Sequence, residues 1–145
     1  MEKIIQEKTS ADHLLYVSLK YTKTTDVILN LLFRWRNLID QGIDHILERA
    51  KKDRKIKSMP SAPKLKIDKL LELEKNNEIV KRTLDLYDFF KKAETAEKVR
   101  ENEFRKNVAL KIIYRGNWEI VNLDKLKEFN LVIENFVNYL RTLKP

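Results

Sequence analysis

The chain has 145 residues, with 43% hydrophobic and 36% charged side chains, two glycines, three prolines and a formal charge of +8. That is the size of one ordinary domain with a core of its own and the composition of a helix-rich globular protein, which excludes a disordered or fibrous chain. The absence of cysteine excludes a disulfide framework, a thiolate nucleophile and a cysteine-ligated zinc, and it agrees with a cytoplasmic location.

Met1 to Lys8 is too polar and acidic to read as a signal peptide. Thr9-Ser10-Ala11-Asp12 fits a capping box, so a helix is expected to begin there. Apolar residues then recur at Leu14, Val17, Tyr21, Ile28, Leu31, Trp35 and Leu38, and Leu32, Ile39, Ile43, Ile46 and Leu47 widen the face. Unbroken from 10 to 53, this helix would be ~65 Å long, more than a small domain is wide. Its weak points are Thr22 to Asp26, where β-branched threonines compete for backbone groups, and Gly42. A face so long and so apolar predicts a homodimer or larger homo-oligomer. The apolar clusters fall well short of the ~20 residues needed to cross a bilayer, so no membrane association is expected.

Prolines 60 and 63 mark an internal linker near 54–66 in an otherwise single domain spanning 1–145. A helix follows around 64–75, then a turn at Asn76-Asn77 and a helix from about 78 to 100 with Ile79, Val80, Leu84, Tyr87, Phe90 and Ala93 toward the core. Phe104, Val108, Leu110, Ile112 and Tyr114 change the rhythm to two, as in a half-buried strand. Gly116-Asn117 reads as a type II′ hairpin turn, and Trp118 to Val121 as the return strand. Asn122 caps a last helix lined by Leu123, Leu126, Ile133, Phe136, Val137 and Leu140. The expected fold is therefore mainly α: a helical bundle built on a long N-terminal helix, with one β-hairpin near 104–121 before the C-terminal helix.

Few residues offer chemistry. With glycine only at 42 and 116 there is no phosphate-binding loop, and no serine lies in a nucleophile elbow. His13 and His45 would stand ~48 Å apart on one continuous helix, so no metal site and no cofactor is expected. Asp40, Asp44 and Glu48 share a helix face, which reads as a solvated face with Glu48 paired to Lys52. The basic residues are densest from Arg49 to Lys69. Lys51, Lys52, Arg54, Lys55 and Lys57 are the candidate phosphate contacts, with RNA, DNA or an acidic protein as the partner. No aromatics interleave with these five, so base stacking is not indicated there. A Lys/Glu-rich surface adapted to a hot-growing organism also accounts for the composition.

Arg36-Asn37-Leu38-Ile39-Asp40-Gln41 resembles the opening of the Arg-x4-6-His motif of HEPN domains, small helical bundles that are often dimeric. The resemblance implies an RNA-cleaving or toxin-antitoxin role with Arg36 and Asn37 in the site. It covers six residues, and glutamine stands where the family has histidine. Arg100 to Asn107 is a second near match, again with an amide in the histidine position. Glutamine does not exchange protons near neutral pH as imidazole does. The layout is also similar to that of small uncharacterised archaeal helical proteins. The reading from the residues is a non-enzymatic helical interaction protein, and the alternative is a HEPN-type ribonuclease.

Overall fold

The first helix begins earlier than its capping box. In the computed structural model, which describes residues 1–143, α1 spans Glu2–His13 and is already under way at Thr9. The Thr9 hydroxyl donates to the Ile5 carbonyl at 2.9 Å instead of capping anything, a back-bond that β-hydroxyl residues make inside helices. The helix continues through a single π-turn, Leu14–Ser18, whose wider ring is closed by the Leu19 N–H on the Leu14 carbonyl. It ends with α2, Leu19–Thr22.

The chain then breaks at the threonine-rich weak point. Lys23 adopts the left-handed conformation at φ 52°, and Thr24 is extended and accepts from the Val27 N–H to open α3, Thr25–Lys52. Gly42 passes through α3 without interrupting it. The predicted helix 10–53 is thus a helical hairpin, with α1 folded back on α3. This corrects the expected stripe as well. Ala11, Leu15 and Leu19 are buried, while Val17 and Tyr21 face solvent. The partner of this segment is α3 of the same chain, whose apolar face α1 helps to cover.

Ile56 is buried and ties the linker to the core, and Pro63 occupies the first turn of α4, Pro63–Leu73, where its missing N–H costs no hydrogen bond. Asn77 caps α5, Glu78–Ala93, through a 3.2 Å bond from the Val80 N–H. The helix stops short of the predicted residue 100, because Lys98–Glu101 forms a strand, β1. With β2, Ala109–Tyr114, and β3, Asn117–Val121, it makes an antiparallel sheet in the order β1-β2-β3. Phe104, expected to start a strand, lies instead in the β1–β2 loop at φ 66°. Asn122 caps α6, Leu123–Thr142, accepting from the Lys125 N–H at 2.9 Å.

Tyr114 pairs with Asn117, so the hairpin turn is Arg115-Gly116 and not Gly116-Asn117. Both residues have positive φ, 51° and 82°, which marks type I′ and not type II′. Nothing lies within 4 Å of a β-carbon added at Gly116, so only backbone strain opposes substitution there. Gly116→Val should cost on the order of 1–3 kcal/mol, read as a lower denaturation midpoint.

The buried side chains of all the helices and of β2 and β3 join one cluster, with Trp35, Phe90 and Phe136 its largest members. Leu110 and Ile112 face that cluster from the sheet, while Val99, Trp118 and Ile120 on the other face are partly exposed. Among the described residues no helix is long and apolar enough to cross a membrane.

Candidate functional site

The five candidate phosphate contacts sit around the C-terminal end of α3. Lys51 and Lys52 close its last turn and Asp53 is the C-cap. The Arg54 N–H then donates to the Lys51 carbonyl at 3.0 Å, and the Lys55 N–H to the Ala50 carbonyl at 2.9 Å. These two bonds form a Schellman motif, which places Arg54 at the position that glycine normally takes. Arg54 accordingly has φ 60°. An L-residue held there costs about 1–2 kcal/mol relative to glycine, so the turn presents a guanidinium where the backbone alone would favour no side chain.

Lys51, Lys52, Arg54, Lys55 and Lys57 are all exposed. Among the described residues none of the five forms an ion pair; the expected Glu48–Lys52 pair is not made, and Arg49 takes Asp53 at 3.0 Å. The negative end of the helix dipole favours cations here in any case, by a few tenths of a kcal/mol to about 1 kcal/mol each. Arg141, in the last turn of α6, is exposed as well, and Thr142 and Leu143 share a small hollow with Arg49 and Lys55. The C-terminal ends of α3 and α6 therefore meet at one basic end of the molecule.

The other sequence candidate, Arg36, lies about four turns nearer the middle of α3. Its guanidinium donates to Glu94 at 2.6 Å and stands 3.7 Å from Asp40, which also accepts a short hydrogen bond from the Tyr87 hydroxyl. Burial works against the charged guanidinium, but the hydrogen bond and charge of Glu94, helped by Asp40, outweigh it and raise the Arg36 pKa. Burial and the Asp40 carboxylate together push the Tyr87 phenol well above its ordinary value. Tyr87 is thus a neutral hydrogen-bond donor through the physiological range. Arg36, Asp40 and Tyr87, with Lys91 over the Tyr87 ring and a Lys66–Asp44 pair at 2.8 Å, line a cleft of about 270 Å³ between α3, α4 and α5.

Neither histidine joins this cluster. His13 contacts Ser18 on the N-terminal helix, and His45, nine residues along α3 from Arg36, hydrogen-bonds the Leu143 carbonyl. Gln41 keeps its side-chain oxygen buried with no hydrogen-bond partner, and Asn37 is half-buried. Arg100, which opens the second near match, is held by Asp26 at 2.7 Å and by the Thr25 hydroxyl at 2.8 Å. Among the described residues no three carboxylate or imidazole groups gather as metal ligands. The Arg36–Asp40–Tyr87–Glu94 network was missed by sequence reasoning, because Tyr87 and Glu94 lie 47 and 58 residues from their partners and no local spacing announces them.

No family model, no curated protein and no solved structure matches this chain.

Proposed function

We propose that the protein is a non-enzymatic helical interaction module whose basic end holds the phosphate backbone of RNA or DNA without reading its sequence. The observation that carries this reading is the set of five exposed cations, unpaired among the described residues, spread over seven positions around a rigid helix end. Lysine and arginine that have no carboxylate of their own are free to displace counterions from a polyanion. Arg54 adds to this, since the chain keeps a cation at the one position of the turn where glycine would be relaxed. The non-enzymatic part is supported by Arg36, whose guanidinium is already engaged by two carboxylates, and by the amide at position 41.

Binding of a labelled nucleic acid should weaken steeply with salt, by a slope of about −0.9 in log K per log salt for each phosphate neutralised on duplex DNA. Changing Lys51, Lys52, Arg54, Lys55 and Lys57 together to glutamine should flatten that slope by up to about 4.5 and weaken all sequences alike. Arg54→Gly alone separates charge from folding. It should raise stability by about 1 kcal/mol through relief of the left-handed strain, while lowering affinity. No binding by the parent at low salt would overturn the proposal.

A further inference from the structure

A second surface, at the opposite end of α3, combines cations with aromatic rings. The helix break and the β1–β2 loop meet there, through a 2.8 Å hydrogen bond from the Phe104 N–H to the Lys23 carbonyl. The junction is held from below as well. Glu103 accepts from the Thr25 N–H at 3.1 Å and from the Thr25 hydroxyl, which occupies the first free amide of α3, and Arg100 pairs with Asp26. Two rings stand out from this fixed base: Tyr21 is 76% exposed and Phe104 is 74% exposed. Large aromatics with a core within reach ordinarily bury most of their area.

The surroundings of these rings are basic. Lys20 places its ammonium 5.9 Å from the Tyr21 ring centre, Lys23 lies at the break, and Arg105 and Lys106 follow Phe104 in the loop. Among the described residues none of these four forms an ion pair, while the nearby Asp26 and Glu103 are already taken by Arg100. An apolar protein partner would be served by the rings but not by four uncompensated cations. A duplex would be served by the cations but offers no free base faces to the rings. Unpaired nucleotides use both, since their bases stack on aromatics while lysine and arginine follow the backbone.

We infer that the surface formed by Tyr21 and Phe104 with Lys20, Lys23, Arg105 and Lys106 binds single-stranded nucleic acid by base stacking. The inference does not rest on the basic end of α3, which lies about 40 Å away along a helix of 28 residues. The probe is a fluorescent oligothymidylate of about 12 nucleotides, within the range of single-strand site sizes, measured by anisotropy at low salt. The double variant Tyr21→Leu/Phe104→Leu keeps apolar bulk and removes both π faces. It should weaken binding about tenfold or more, with an unchanged helical circular dichroism spectrum, and should leave affinity for a duplex of equal length unaltered. The pair Tyr21→Phe/Phe104→Tyr, which keeps the π faces, should bind as the parent does. The same loss should appear when the leucine pair is placed in the five-glutamine background, which separates this surface from the other. Failure of the parent to bind the oligonucleotide, parental affinity in the leucine variant, or an equal loss on duplex would each overturn the inference.

Discussion

Trp35→Ala should lower stability by about 3–5 kcal/mol, the range for removing a large aromatic from a core. Trp35 is fully buried at the middle of the cluster, stacked on Phe90 at 5.8 Å between ring centres and met edge-on by Phe129 at 6.3 Å. Its removal therefore strips partners from α5 and α6 at once. Domains of this size are stable by about 5–15 kcal/mol in total, so the variant should unfold at a much lower denaturant midpoint. Trp35→Phe should cost far less. The indole N–H is buried without a hydrogen-bond partner, and an unsatisfied buried donor costs about 1–3 kcal/mol, which phenylalanine avoids. Equal losses for the two variants would mean that the indole as a whole, and not aromatic bulk, holds this position.

Gly42→Ala should destabilise the protein by about 1–3 kcal/mol although alanine is the better helix former by about 1 kcal/mol. A β-carbon at Gly42 would stand 2.6 Å from Cζ of Phe136 and 3.0 Å from Cδ1 of Leu140. Both belong to α6 and both are fully buried, so neither side chain has room to withdraw. The glycine sets how closely α3 and α6 approach. Gly42→Val should be worse again, and a rise in melting temperature for Gly42→Ala would show that α6 shifts without cost.

Punctuation was the most legible part of the sequence. Asn122 caps the helix its position predicts, Asn77 of the expected Asn76-Asn77 turn caps α5, and Pro63 opens the helix after the linker, because each acts through its own backbone neighbours. The threonine-rich break was legible as a weak point, but its consequence was not. Whether a helix bends or folds back depends on which partner covers its face, and the partner of α1 is α3. The same non-local choice hid β1. Lys98 to Glu101 contains one apolar residue, so no two-residue rhythm shows until β2 pairs with it. At the site level, the Arg49–Lys69 basic run was visible as composition, whereas which of its members stay unpaired among the described residues depended on where the carboxylates went: Arg49, Lys66 and Lys69 take Asp53, Asp44 and Glu72, and the five cations from Lys51 to Lys57 take none. The Tyr21–Phe104 surface was not visible, since the two rings are 83 positions apart and the two-residue rhythm places Phe104 in a strand that in fact begins five residues later.

The three-stranded sheet leaves β1 and β3 with one unpaired backbone edge each. The first is guarded by its shortness and by Lys98 and Arg100, whereas β3 offers five residues with Trp118 and Ile120 beside a single charge, Glu119. Open edges of this kind invite edge-to-edge aggregation. The mutual repulsion of chains with formal charge +8 opposes such pairing, and that repulsion reaches only ~3 Å in 1 M salt. Concentrated brine, the usual means of stripping a polyanion from a basic protein, would therefore also remove the colloidal protection of β3, so purification free of nucleic acid and freedom from precipitation pull the ionic strength in opposite directions.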